Sequence, residues 1–131
     1  MQKDEKDSPS SSLTPEFGYG RSRRLTKRHQ FDRVFQEASV RRTHPPLRLL
    51  ALPNNVAVPR LGIVVSKRAM HRAVTRNRAK RVIRESFRNE QHQLPAMDII
   101  VQAIPGKAGK EQVAELTDAL SQLWKGLVDE A

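Results

Sequence analysis

The 131-residue sequence contains no cysteine and few aromatic residues, with four Phe, one Tyr and one Trp. The lack of thiols excludes a disulfide framework, a thiolate nucleophile and a thiolate metal site. No apolar run approaches the roughly 18 residues of a membrane span, and the polar N-terminus shows no hydrophobic segment of a secretory signal. We therefore expect a soluble cytoplasmic chain with no membrane partner.

Acidic residues are scarce in the middle of the chain. Residues 21–93 carry 19 Lys or Arg against 4 Asp or Glu, whereas the two flanking segments are net acidic. Positive charge concentrated in this way predicts a nucleic-acid partner. Residues 1–20 mix charges with Ser, Pro and Gly and show no periodicity, so we predict a disordered tail there and one folded domain over 21–131.

The densest charge lies in Val64–Arg88, where nine Lys or Arg residues accompany a single acid, Glu85. Helical spacing of apolar and small side chains predicts a helix from about Arg72 to Gln91 that docks one face on a core. The predicted inner face consists of Ala79, Val82, Ile83, Ser86 and Phe87. The opposite stripe consists of Asn77, Arg81, Arg84 and Arg88, flanked by Arg78 and Lys80.

Two further arginines of this helix, Arg72 and Arg76, fall over the apolar side but one to two turns before the core residues begin. If the helix overhangs the sheet there, we expect them to reach around its edge into a neighbouring cleft. Arginine suits such a place, because its planar guanidinium binds phosphate with two parallel hydrogen bonds and stacks on bases.

Shorter patterns complete the predicted order of elements, αβββαβα, an α+β sandwich with one mixed sheet. Thr26 is a candidate N-cap for a first helix whose apolar face is Phe31, Val34, Phe35 and Ala38. Strands are predicted at 47–52, 60–66 and 97–104, and a last helix at 110–128. Pro45 and Pro46 predict an edge, a bulge or a turn between two strands.

The basic segment resembles the RNR signature of the bacterial ribonuclease P protein family. The resemblance is carried by Ser66-Lys67-Arg68, by RAVTRNRAKR at Arg72–Arg81 and by RESF at Arg84–Phe87. It extends from Arg23 to about Val128 and includes the opening RLTKRHQFDRVFQ and the strand LPAMDIIVQA. The triplet alone is a weak signal, but its position after a VSKR strand and before KRxxRESF is highly specific.

The resemblance implies a two-layer sandwich whose mixed sheet contains a left-handed βαβ crossover, as in the ribosomal protein S5 domain 2-like fold. It also implies a protein subunit of ribonuclease P, an endoribonuclease that removes the 5′ leader of precursor tRNA. In that family the catalytic centre is in the RNA subunit, which binds most of the Mg²⁺. The implied partners are the catalytic RNA and precursor tRNA, with a monomeric protein in a 1:1 ribonucleoprotein.

Carried over residue by residue, the resemblance implies a set of RNA contacts in the basic segment and a cleft for the single-stranded leader. The RNA contacts are Lys67, Arg68, Arg72, Arg76, Asn77, Arg78, Lys80, Arg81, Arg84 and Arg88. Phe31 and Phe35 become cleft aromatics that stack leader bases, although packing with Val34 in the core is the alternative for both. Arg48 stands where many relatives have aromatics, and we expect it to substitute by charge.

Other functions are less well supported by the residues themselves. The four histidines show no catalytic or metal-ligand spacing, and the carboxylates are too scattered for a two-metal nuclease. We therefore predict no catalytic and no metal-binding residue in this chain, and we expect Glu85 to pair with neighbouring arginines. A ribosomal or other structural RNA-binding protein remains the alternative, and binding to an anionic membrane surface is a poorer one.

Overall fold

Three α-helices and four strands follow one another in the described part of the chain, residues 23–105 and 113–130 of a computed structural model, and a short 3-10 helix (Gln91–Gln93) follows the second α-helix. The α-helices and strands are α1 (Arg28–Glu37), β1 (Val40–His44), β2 (Leu47–Pro53), β3 (Arg60–Val64), α2 (Ala73–Glu90), β4 (Met97–Ala103) and α3 (Val113–Glu130). This order confirms the predicted αβββαβα. The predicted tail at 1–20 and the predicted start of the last helix at 110 lie outside the described residues.

Most element boundaries differ from the prediction by one or two residues. The N-cap of α1 is Lys27 instead of Thr26, and the side-chain oxygen of Gln30 accepts the backbone N–H groups of both residues, at 2.9 and 2.8 Å. The third strand ends at Val64, because Ser66 already belongs to a turn: its carbonyl accepts the N–H of Met70 at 3.0 Å.

The strands form one mixed sheet in the order β1-β2-β4-β3. The pairs β1–β2 and β2–β4 are antiparallel, whereas β3 and β4 are parallel and are connected through α2. The Pro45–Pro46 pair forms the turn between β1 and β2, which was one of its three predicted roles. The predicted mixed sheet is confirmed, and β3 is one of its two edge strands.

Side chains that alternate along the strands build two cores, one on each face of the sheet. The main core packs the inner stripes of α2 and α3 against side chains such as Leu49, Ile99 and Val101. On the opposite face, Val34 of α1 packs against Leu50 and Ile100 in a smaller core. The predicted sandwich corresponds to the main core, and α1 adds a partial third layer that the two-layer prediction did not place.

A partly buried ion pair ties the edge strand β3 to its neighbour. The Arg60 guanidinium donates to both carboxylate oxygens of Asp98, at 2.7 and 2.9 Å, and the Asn54 amide donates to the same carboxylate at 2.9 Å. The hydrogen bond to Asp98 raises the pKa of Arg60 above its ordinary value, against the smaller effect of burial. The start of β3 is therefore held in place, and β3 forms one wall of the cleft described next.

Candidate nucleic-acid interface

Helix α2 divides its surface as the periodicity predicts. Its buried side chains are Thr75, Ala79, Ile83 and Phe87, and the predicted inner residues Val82 and Ser86 are half-buried beside them. Asn77, Arg78 and Arg81 are exposed on the outer side. The sequence did not identify Thr75 as an inner residue, because a polar side chain in the first turn does not register in an apolar pattern.

A cleft of about 750 Å³ lies between α1, β3 and α2. Its basic lining comes from two separate parts of the chain: Arg24, which precedes α1, and the row Lys80, Arg81, Arg84 and Arg88 of α2. Arg24 was not among the predicted site residues. It reaches the cleft because the segment before α1 pairs with the edge of β3, where Leu25 N–H donates to the Leu61 carbonyl at 3.0 Å.

The apolar side of the cleft is built by Phe31 and the edge strand, with Leu25, Leu61, Gly62 and Ile63. Phe31 lies directly over Gly62, and a Cβ atom at that position would be 2.6 Å from Cε2 of the Phe31 ring. Only glycine therefore lets the ring approach the strand this closely. Gly62 was also missed, although a glycine inside a strand pattern is a recognised sign of close approach by another group.

Of the three residues predicted for the leader cleft, only Phe31 lines this cavity. Phe35 is half-buried on α1 and packs, with Phe31, against the smaller core. Arg48 lies on β2, where its Nη2 donates to the side-chain oxygen of Gln102 on β4 at 2.9 Å. The alternation of β2 places Arg48 on the same face as Leu50, so all three residues share the α1 side of the sheet.

The loop between β3 and α2 carries three more of the predicted contacts. Lys67, Arg68 and Arg72 are all exposed there. Arg72 and Arg76 were expected to reach a neighbouring cleft if the helix overhangs the sheet, but neither lines the cleft between α1, β3 and α2. The Arg76 guanidinium turns back and donates to the carbonyl oxygens of Met70 and His71, because the helix places its side chain beside the loop rather than over the cleft.

The charge of the cleft is almost entirely positive. Glu85 is its single acidic lining residue, and its carboxylate is 2.9 Å from Nη1 of Arg88, which confirms the predicted pairing with a neighbouring arginine. Within residues 23–105 and 113–130, His, Asp and Glu form no group of three or more that could hold a metal ion. None of the described helices combines the length and hydropathy that a bilayer crossing demands.

The arrangement can bind an anionic polymer with unpaired bases. Basic side chains on two walls offer phosphate contacts, and the partly exposed Phe31 offers an aromatic surface beside them. Beyond the cleft, further positive charge comes from the outer stripe of α2 and from the loop between β3 and α2, here called the basic loop, with Lys67, Arg68 and Arg72. Such a combination of backbone-neutralising charge with an aromatic platform is typical of single-stranded nucleic-acid binding.

Three known proteins that are similar to this chain over most of its length are all ribonuclease P proteins. A family model described as Ribonuclease P matches residues 19–128. The ribonuclease P protein component of Idiomarina loihiensis is 43% identical over 109 residues, which cover 83% of this chain and 86% of that protein. The structure is similar to that of the Staphylococcus aureus RNase P protein, with a TM-score of 0.69 and 30% identity over 79% of this chain and 93% of that one. The RNase P protein from Thermotoga maritima gives a TM-score of 0.64 and 28% identity, covering 81% of this chain and 96% of that one.

Proposed function

The chain belongs to the ribonuclease P protein family, and from that membership we propose a division of labour between its surfaces. As the protein component of ribonuclease P, it is part of an endoribonuclease holoenzyme that processes tRNA and contains an RNA partner. In the proposal, α2 and the basic loop bind the catalytic RNA, while Phe31 and its surroundings hold the 5′ leader of precursor tRNA. The RNA subunit carries out the phosphodiester hydrolysis.

The observation that carries this proposal is the cleft itself. Its basic row from α2 lies opposite Phe31, and Gly62 leaves room for the ring against the edge strand. A flexible leader can place its phosphates along the row and a base on the ring. Because stacking accepts every base, such a cleft suits a protein that must process many different leaders.

Arg48 extends the proposed leader path along the α1 side of the sheet. The hydrogen bond from its Nη2 atom to Gln102 orients the guanidinium, and the side chain is only partly buried. Phe35 packs in the smaller core and so holds α1 against the sheet beside the proposed leader path. In this proposal Arg48 contributes a phosphate contact, and Phe31 contributes the stacking.

Magnesium belongs to the RNA in this proposal. The acidic lining residue of the cleft, Glu85, lies against Arg88, and the carboxylate of Asp98 is occupied by Arg60 and Asn54. These carboxylates do not fit a Mg²⁺ ion, which prefers near-octahedral oxygen coordination with little competing positive charge. The chain's own residues would bind and orient RNA, and the metal ions would assist hydrolysis at sites on the RNA.

We further propose a monomeric protein in a 1:1 ribonucleoprotein that acts in the cytoplasm. The decisive experiment is reconstitution with a bacterial ribonuclease P RNA and a precursor tRNA. At low Mg²⁺ concentration, where the RNA alone cleaves poorly, addition of the protein should restore release of the 5′ leader. If cleavage is unchanged and the protein instead co-sediments with ribosomes, a structural RNA-binding role replaces the one proposed here.

A further inference from the structure

The guanidinium of Arg76 is engaged by the backbone of its own chain. Its Nη1 atom donates to the carbonyl oxygens of Met70, at 3.1 Å, and His71, at 2.9 Å. Both carbonyls belong to the loop that connects β3 to α2, whereas Arg76 lies in the first turns of the helix. The side chain therefore folds back and joins the end of the loop to α2.

The other end of this loop is held by a turn at Ser66. The Ala69 N–H donates to the Ser66 carbonyl at 3.1 Å and lies 3.2 Å from its hydroxyl, and the Met70 N–H donates to the same carbonyl at 3.0 Å. The Met70 side chain is buried in the main core. Arg76 secures the segment that follows Met70, so the loop is held at its beginning, at its middle and at its end.

What the loop presents is a set of exposed basic side chains, Lys67, Arg68 and Arg72. Like charges this close repel one another, and an unrestrained loop would spread them apart. Ordering a backbone residue also costs conformational entropy. A loop that is ordered before binding avoids that cost in the complex, so its three cations can meet the phosphates of an RNA together.

We infer that Arg76 is a positioning residue of the RNA interface, which orders the basic loop and makes no phosphate contact of its own. The inference rests on the proposed function, since it assigns Arg76 a role within the same interface. It separates Arg76 from Arg78, which the family resemblance treats alike. Arg78 is exposed on the outer side of α2, whereas Arg76 is half-buried against the loop.

The test compares Arg76→Ala with the matched control Arg78→Ala in the full chain, as binding to a ribonuclease P RNA over a range of KCl concentrations. Arg76→Ala should bind about tenfold more weakly, because the loop must be ordered on binding. Its slope of log affinity against log salt should equal that of the wild type. Arg78→Ala should lower the magnitude of the slope by about 0.7–0.9, the value of one lost phosphate contact.

In the comparison of the two alanine variants, two results overturn the inference in different ways. An equal fall in slope for both variants makes Arg76 a phosphate contact and leaves the proposed interface standing. Unchanged affinity and slope for both variants remove the interface, and with it the proposed role of α2. Arg76→Lys keeps the charge on a side chain that is one bond shorter and not planar at its end. We expect it to hold the two carbonyls less well, which gives weaker binding with an unchanged slope. Wild-type binding by this variant would show that charge alone is required.

A double-mutant cycle separates positioning from a general effect on folding. If Arg76 acts through the loop, Arg76→Ala and Arg68→Ala should be non-additive in binding, since disordering the loop already weakens the contact of Arg68. Arg76→Ala and Arg84→Ala should be additive, because Arg84 lies in the cleft, away from the loop. Additivity in both cycles contradicts positioning through the loop.

The free protein provides a readout that needs no RNA. Trypsin should cut after Lys67 and Arg68 about tenfold faster in Arg76→Ala than in Arg78→Ala, because local opening controls cleavage of a structured loop. Both variants lose one potential cleavage site, so the comparison is matched. Equal cutting rates would overturn the loop-ordering role.

Discussion

Helices α2 and α3 are both 18 residues long and lie side by side, yet they face their surroundings with opposite charge. Within its span α2 carries six Lys or Arg and two Glu, whereas α3 carries four acids and one Lys. Each buries an apolar stripe in the same core, so burial alone does not distinguish them. The difference lies on the outer faces: α2 contributes four basic side chains to the lining of the cleft, and the described residues of α3 contribute none.

The acidic helix uses part of its charge within the protein. Glu130 pairs with Arg42 of β1 at 2.8 Å, and Gly126 leaves space for the Arg42 side chain, which a Cβ atom there would displace. In the proposed function, the acidic outer face of α3 would repel RNA phosphates and so disfavour binding of RNA through this helix. In the proposed function, α2 therefore provides the RNA interface and α3 supports it from the main core. Four variants, one of them a triple substitution, test this contrast.

The largest effect is expected at Phe87, where the two helices meet. This side chain is fully buried, and its ring lies 6.2 Å from the ring of Trp124 in α3. Phe87→Ala should lower the free energy of unfolding by about 3–5 kcal/mol, because burial of the ring is lost and the surrounding side chains fill the cavity only in part. Urea unfolding followed by the fluorescence of Trp124, the single tryptophan of the chain, measures the change.

Val128→Ala is the control for this substitution, since Val128 is 43% exposed on α3. We expect a change within about 0.5 kcal/mol there. Similar losses at the two positions would mean that the α2–α3 contact contributes little, and that the helices are held by the sheet alone.

The second substitution removes charge from α2 only. Replacing Arg78, Arg81 and Arg84 by Ala should reduce the magnitude of the salt slope, which is the slope of log affinity for a ribonuclease P RNA against log salt. We expect a reduction of about 2.1–2.7, at roughly 0.7–0.9 for each lost phosphate contact. Lys125→Ala removes a cation from the exposed face of α3 and should leave the slope unchanged. A slope that responds to Lys125 but not to the arginines would reverse the assignment of the two helices.

These expectations show what the sequence can and cannot predict. The inner stripe of α2 follows from local periodicity, which depends only on the helix itself. The cleft does not, because Arg24 enters it through long-range pairing with β3, and no local pattern encodes that pairing. Arg76 shows a third limit: a helical wheel gives the direction in which a side chain leaves the helix, but not where a long side chain ends.

The third substitution asks whether the RNA surface extends from α2 to α1. Phe31→Ala should weaken binding of precursor tRNA to the reconstituted ribonucleoprotein by about 1–3 kcal/mol, if a leader base stacks on the ring. Mature tRNA has no leader, and its binding should be unaffected. Equal losses for both substrates would assign Phe31 to the smaller core, where it also packs.

The smallest effect is expected at Ser86, whose hydroxyl accepts a hydrogen bond from Nε1 of Trp124 at 2.7 Å. Ser86→Ala leaves a buried indole N–H unsatisfied and should lower the free energy of unfolding by about 1 kcal/mol. Ser121→Ala on the exposed face of α3 corrects for the higher helix propensity of alanine, which should stabilise both variants alike. The difference between the two serines then measures the hydrogen bond. The salt slope of RNA binding should stay constant in both, because neither serine carries a charge and Ser86 faces Trp124 of α3.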